Sequence, residues 1–253
     1  MTKNGKRVAW VTGGGSGIGE AGAEALAADG WIVVVSGRRK DALDTVVARI
    51  AKAGGAAEAI ALDVSNAAEA QKAADQIVAK HGRIDLLVNN AGINVPKRSW
   101  KDMELEGWDK LVQVNLNGVL YCMRAVLPTM RKQQDGSIIN VSSWAGRHVS
   151  KMPGPAYTTT KHAVLALTHS FNMDECVNGL RACCFSPGEV ATPILKSRPV
   201  PPNEAQMAKM LQPEDCGRTI AFIANLPPRV CVNEILISPT HNRGFIQTPA
   251  SND

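Results

Sequence analysis

Aromatic residues make up only 4% of this 253-residue chain, and just two of them are tyrosines. The net charge is +5, and no run of Lys and Arg is longer than Arg38-Arg39-Lys40. Nucleic-acid surfaces combine clustered basic side chains with aromatics that stack on bases, so a nucleic-acid partner is not expected. No apolar run approaches the ~20 residues that span a bilayer, so no membrane partner is expected either. The start, Met-Thr-Lys-Asn-Gly-Lys-Arg, leads straight into a strand-like run with no apolar signal core. None of the six cysteines forms C-x-x-C, and most sit inside apolar runs as small hydrophobes. The histidines at 81, 148, 162, 169 and 241 show no ligand spacing with Cys or carboxylates, so no metal site is expected. No linker, repeat or low-complexity tract divides the chain. The expectation is a single domain over residues 1–253, placed in the reducing cytoplasm.

What is present is alternation. Hydrophobic residues form 45% of the chain, and short β-branched runs alternate with helical patterns throughout. Arg7 to Thr12, Trp31 to Ser36, Ala59 to Leu62, Ile84 to Val88, Ser137 to Val141 and Leu180 to Ser186 read as strands. The segments between them read as helices, and Leu105 to Lys132 reads as one long helical stretch. This pattern predicts an α/β fold with a doubly wound parallel sheet and a ligand crevice at the carboxyl ends of the strands.

The suspicious residues fall at those ends. The first strand runs into Gly13-x-x-x-Gly17-x-Gly19 and then an alanine-rich helix. Strand, glycine turn and helix together suit a dinucleotide, because the backbone approaches the pyrophosphate and the helix N-terminus offers free N–H groups. The second strand ends in Ser36-Gly37-Arg38-Arg39, with no carboxylate for a ribose 2′-hydroxyl and two guanidiniums for a 2′-phosphate. That favours NADP, leaves NAD possible, and leaves open that the arginines only begin the next helix. Asp63 after the third strand either meets an adenine or caps a local turn. Asn115 sits in an apolar helical face, where it must bridge to backbone or water, or open the helix locally.

Tyr157 and Lys161 stand one helical turn apart. A positive charge beside a phenol favours the phenolate, lowering its pKa towards the range of acid–base catalysis. Ser143, just past the fifth strand, is placed to hydrogen-bond the same substrate oxygen, with Ser142 as the alternative.

Taken together, Thr12-Gly13-x-x-x-Gly17-x-Gly19, Asn89-Asn90-Ala91-Gly92, Asn115, Ser143, Tyr157-x-x-x-Lys161 and Pro187-Gly188 resemble the short-chain dehydrogenase/reductase family over nearly the full chain. The resemblance implies a three-layer doubly wound Rossmann fold with a parallel sheet of about seven strands. It implies an oxidoreductase that interconverts a secondary alcohol or hydroxy acid and its ketone. Tyr157 would be the general acid/base and Ser143 the holder of the substrate oxygen. Lys161 would bind the nicotinamide ribose and lower the tyrosine pKa, and Asn115 would position a relay water. The implied cofactor site comprises Gly13, Ser16, Gly17, Ile18, Gly19, Arg38, Arg39, Asp63, Val64, Asn89, Ala91, Gly92, Tyr157, Lys161, Pro187, Gly188, Val190 and Thr192. A homo-oligomer, dimer or tetramer, is implied as well. The closing Ile235-Leu-Ile-Ser-Pro239 looks like the alcohol and 3-hydroxy-acid dehydrogenases of the family.

By the same resemblance the stretch 192–212 looks like the segment that covers the substrate, and its prolines suit a loop better than one continuous helix. Ser143, Trp144, Arg147 and Asn94 are the candidate substrate residues, and Arg147 or Arg98 would suit a small molecule bearing a carboxylate. An NAD(H)-dependent dehydrogenase and a dinucleotide sensor without turnover are the alternatives.

Overall fold

The computed structural model describes residues 6–243 and Phe245. Its seven strands are β1 (Val8–Thr12), β2 (Ile32–Gly37), β3 (Ala56–Ala61), β4 (Leu86–Asn89), β5 (Gly136–Val141), β6 (Leu180–Pro187) and β7 (Glu234–Ile237). They form one sheet in the order β3-β2-β1-β4-β5-β6-β7, and every pairing is parallel. Parallel strands need crossovers, and these are supplied by α1 (Gly17–Ala28), α2 (Lys40–Lys52), α3 (Ala67–His81), α4 (Leu105–Val112), α5 (Gly118–Gln133), α6 (Pro155–Glu175), α7 (Glu204–Met207) and α8 (Pro213–Asn225).

Because helices cover both faces, the central strands are apolar at consecutive positions and not at alternate ones. Ala9, Val11, Val33, Val35, Ile139 and Phe185 pack with residues of α1, α2 and α8. Trp10, Val34, Leu87 and Ile138 point the other way, onto α3, α5 and α6. The strand order reverses between β1 and β4. At that point neighbouring connections leave on opposite sides of the sheet and open a crevice beyond the carboxyl ends.

The stretch read as one long helix is continuous but not uniform. α4 passes into a π-helical turn, Gln113–Asn117, before α5 begins. Buried Asn115 lies in that turn, and it both opens the helix locally and bridges to backbone, that of Ile93.

A chain of buried amides ties the layers together. Asn89 Nδ2 donates to Asn140 Oδ1 at 2.9 Å across the β4–β5 pair. Asn140 Nδ2 donates in turn to Thr168 Oγ1 of α6, also at 2.9 Å. The Asn89 side chain therefore serves the sheet. The Asn89→Ala substitution would leave Asn140 Oδ1 without its donor in a dry interior, at a cost of about 1–3 kcal/mol. Urea unfolding followed by far-UV circular dichroism measures this. An unchanged midpoint would contradict the structural role.

Candidate active site

The crevice is built from its glycine turn upward. After β1 the chain turns through Gly13 (φ 64°) and Gly17 (φ 59°), a backbone region unfavourable to residues with a Cβ. A Cβ on Gly19 would lie 2.4 Å from both Asn90 Nδ2 and Gly13 O, so no side chain fits there. Asn90 explains the crowding: its Nδ2 donates to Thr12 O and Gly13 O, each at 3.1 Å. The N–H groups of Asn90 and Ala91 donate to Thr12 Oγ1 at 3.1 and 3.2 Å. The turn is thus stitched to the end of β4. Ser16 caps α1 in extended backbone without a side-chain hydrogen bond to the helix, so the first-turn N–H groups remain available to an anion.

The candidate catalytic residues gather at the end of β5. Ser142 is buried and its Oγ donates to Lys161 O at 2.8 Å, which commits it to the backbone of α6. Ser143 Oγ accepts from Ala145 N at 3.1 Å, capping a short 3-10 turn at Trp144–Gly146, and its hydroxyl stands close enough to the Tyr157 phenol to draw its pKa down. Ser143 is therefore the serine that meets the tyrosine. α6 begins at Pro155, whose fixed φ suits a first helical position. It sends Tyr157 and Lys161 to the same side, with Lys161 Nζ 5.6 Å from the Tyr157 ring centroid. Lys161 is 4% exposed, and its ammonium donates to Val141 O at 2.8 Å. Asn115 fastens the loop after β4: its Oδ1 accepts from Ile93 N at 2.8 Å and its Nδ2 donates to Ile93 O at 3.0 Å.

Electrostatics in this cluster departs from expectation. Burial lowers the Lys161 pKa to about 8. Burial also raises Tyr157 above its ordinary value, outweighing the Ser143 hydrogen bond and the charges of Arg198 and Arg98, which pull it down. The spacing alone predicts that the lysine depresses the tyrosine. The Lys161 ammonium is bonded to the Val141 carbonyl, and Arg198 and Arg98 are cations that pull the phenol's pKa down.

One cleft of about 770 Å³ joins the two halves. Gly13, Ser16, Gly17, Ile18, Ala91, Gly92, Asn94, Ser143, Trp144, Tyr157, Lys161, Pro187, Gly188, Val190 and Thr192 all line it. Gly19 and Asn115 do not; they shape the turn and the loop behind it. Arg38 and Arg39 are exposed at the start of α2. Asp63 accepts from Ser65 N at 3.0 Å and Ser65 Oγ at 2.7 Å, the local-turn outcome. Val64 is buried against Gly118. Arg147 is the clear correction. It turns away from the cleft and makes a two-pronged ion pair with Glu234 of β7, both contacts at 2.7 Å.

Asn90, quoted in the Asn89-Asn90-Ala91-Gly92 motif but not among the candidate ligands, lines the cleft, and so do Glu189, Arg198 and Arg243, to which the sequence assigns no role. The sequence ends the fourth strand at Val88, whereas β4 runs through Asn89, so Asn90 is the first residue past the strand. The other three sit in loops whose path depends on tertiary structure. Residues 192–210 leave and return through one narrow base, where Ala191 N donates to Leu211 O at 2.9 Å and Leu211 N to Glu189 O at 3.0 Å. Thr192, Pro193, Ile194, Leu195 and Arg198 of that excursion face the cleft. Among the described residues no group of three or more His, Cys, Asp or Glu side chains is arranged to hold a metal ion, and no helix is long and apolar enough to cross a membrane.

The family model for short chain dehydrogenases matches residues 7–201. An uncharacterized oxidoreductase of Staphylococcus aureus is 34% identical over 239 residues, covering 94% of this chain and all of the relative. An alcohol dehydrogenase from the archaeon Thermococcus sibiricus, complexed with 5-hydroxy-NADP, superimposes with a TM-score of 0.84 at 28% identity, covering 94% of this chain and 98% of that one. A metagenomic short-chain oxidoreductase in complex with NADP gives a TM-score of 0.81 at 32% identity, covering 93% and 98%. With its parallel sheet, glycine turn and Ser143–Tyr157–Lys161 cluster, the chain belongs to the short-chain dehydrogenase family and is a nicotinamide-dependent oxidoreductase acting on CH–OH groups.

Proposed function

We propose that the protein interconverts a secondary alcohol and its ketone using NADP(H), with Tyr157 as general acid/base. The observation that carries this reading is that a single cleft is lined at once by the glycine turn and by Ser143, Tyr157 and Lys161. The cradle fits a dinucleotide: positive-φ glycines, a Gly19 position with no room for a side chain, and an uncapped first turn of α1. The choice of NADP rests on the end of β2. Gly14 N donates to Ser36 O at 3.1 Å, so this strand end abuts the glycine turn. Gly37, Arg38 and Arg39 come next in the chain, with no carboxylate among them, and Arg38 is the side chain to hold a 2′-phosphate. The structures with NADP and 5-hydroxy-NADP in related proteins support the same choice.

When bound, the nicotinamide supplies or accepts the hydride. The chain's own residues handle the oxygen and the proton. Ser143 holds the substrate oxygen by a hydrogen bond. Tyr157 delivers a proton to that oxygen in reduction and removes it in oxidation. Lys161 holds the nicotinamide ribose, and Asn115 keeps the π turn and the Ile93 backbone in place behind it. Thr192 and the Pro187-Gly188 turn border the nicotinamide end, and the 192–212 segment covers the substrate.

A dimer or tetramer of this chain, acting in the cytoplasm, completes the proposal. Leu105 of α4, Leu120 of α5 and Met173 of α6 are exposed apolar residues and would be covered by such pairing. Light scattering on micromolar protein should give a multiple of the 26.9 kDa chain mass; a monomer would contradict the assembly.

Tyr157→Phe removes the proton donor while keeping the ring. Turnover should fall by roughly 10²–10⁴-fold, with NADPH binding unchanged. Undiminished turnover would defeat the mechanism. The wild-type pH profile gives a second reading. With the phenol pKa raised by burial, oxidation needs the minor phenolate form and should climb steadily towards alkaline pH. Reduction needs the phenol and should stay flat through neutrality.

A further inference from the structure

The excursion after β6, residues 192–210, has few anchors of its own. Of the side chains described in it, just Leu195 and Met210 are buried. The segment that follows β7 is held by less still: among its described residues from 240 to 245, none is buried. Segments with so little buried apolar surface open at low free energy unless a specific contact holds them. Both nevertheless line the cleft, the first through Leu195 and Arg198, the second through Asn242, Arg243 and Phe245.

One carboxylate joins the two segments. Glu189 stands at the base of the excursion, where its backbone oxygen accepts from Leu211 N at 3.0 Å. Its side chain reaches further along the same excursion, as Arg198 Nη1 donates to Oε1 at 2.8 Å. The segment after β7 meets that carboxylate too: Arg243 Nε donates to Oε2 at 2.7 Å, and Arg243 Nη2 donates to Oε1. Arg243 Nη2 also lies 3.9 Å from Met152 Sδ, and Phe245 meets Trp144 edge-on with ring centroids 5.3 Å apart. The side chains of Glu189 and Arg198 are 21% and 15% exposed, so their pair is shielded from the solvent screening that weakens surface ion pairs. Burial favours the neutral acid, yet the bonds from Arg243 and Arg198 hold the Glu189 pKa below the ordinary carboxylate value. The negative charge therefore persists at neutral pH.

We infer that Glu189 is a positioning residue whose carboxylate clasps the 192–210 excursion and the segment after β7 against the cleft, and that this clasp must open for the nicotinamide cofactor to enter or leave. This rests on the proposed NADP(H) reading and adds to it the control of access. A contact that closes the cleft without touching the cofactor slows entry and exit alike. A direct contact with the cofactor acts mainly on exit.

The test uses the full chain carrying Glu189→Gln, which keeps the shape and removes the charge, and the single variants Arg198→Gln and Arg243→Gln, which each free one segment. Hydrogen–deuterium exchange without nucleotide, read by mass spectrometry, should quicken by roughly tenfold across 192–210 in Arg198→Gln and across 238–243 in Arg243→Gln. Glu189→Gln should quicken both, and Glu189→Asp, which keeps the charge, should restore part of the protection. In stopped-flow mixing, NADPH association and its displacement by excess NADP should both speed up by roughly tenfold in Glu189→Gln, with Kd changing by less than about threefold. The inference is overturned if Glu189→Gln leaves exchange in both segments as in the wild type, or if exchange rises and neither rate moves. It is also overturned if dissociation alone quickens, which would make Glu189 or its arginines direct cofactor contacts. Should Glu189→Gln fail to fold, the two arginine variants carry the same comparison. If the wild type binds no NADPH at all, the cofactor reading fails, and the exchange data still decide whether Glu189 clasps the two segments.

Discussion

The Asn90 carboxamide, lodged between the ends of β1 and β4, is the contact on which the rest of the site depends. Its two N–H bonds are directed to Thr12 O and Gly13 O, and it leaves no space for a Cβ at Gly19. This pulls the glycine turn against β4 and aims the first turn of α1 into the crevice. The crevice itself follows from the parallel sheet, whose strand order reverses between β1 and β4. A side chain at Gly19 would push the turn out and separate the two halves of the cleft.

The second constraint is an ammonium group buried at the end of β5. Lys161 is held by Val141 O and packed beneath Ser142, whose hydroxyl is bound to the lysine's own carbonyl. Its pKa falls from 10.5 to about 8, a desolvation cost the fold carries at neutral pH. Between those two values the unfolded chain binds this proton more tightly than the folded one. The lysine's contribution to stability therefore rises with pH across that window. Such a cost is tolerated where the charge has a use, and here it lies one helical turn from Tyr157, the one tyrosine among the described residues that line the cleft.

Much of this was legible from residue order. The parallel strands, the glycine turn, the Ser143–Tyr157–Lys161 cluster and the tension at Asn115 follow from patterns that act over a few residues. Strand ends were readable where β-branched runs stop at Gly, Asn or Ser, but the alanine-rich β3 runs Ala56–Ala61 where the pattern suggests Ala59 to Leu62. The failures share a cause. Arg147 and Arg98 look equivalent in sequence, yet β7 places Glu234 under the first, while the second lies in the cleft. Arg198, in the excursion after β6, and Arg243, beyond β7, meet at Glu189 although they are far apart in sequence. Asn89 and Asn90 differ by one position, and that step separates the β4–β5 interior from the ligand side. The direction of the tyrosine pKa shift is not readable from spacing, which reports the neighbour but not its burial or the direction of its charge.

In the proposed function, a cleft for a 2′-phosphorylated dinucleotide beside a proton-transferring tyrosine is the centre of this molecule's chemistry. Titrating the intact protein with NADPH and with NADH, following nicotinamide fluorescence, tests that most directly. NADPH should bind more tightly by roughly tenfold or more, as a phosphate–guanidinium contact at Arg38 requires, and Arg38→Gln should bring the two affinities together. Equal or tighter binding of NADH would contradict the cofactor assignment, and failure to bind either would contradict the site itself.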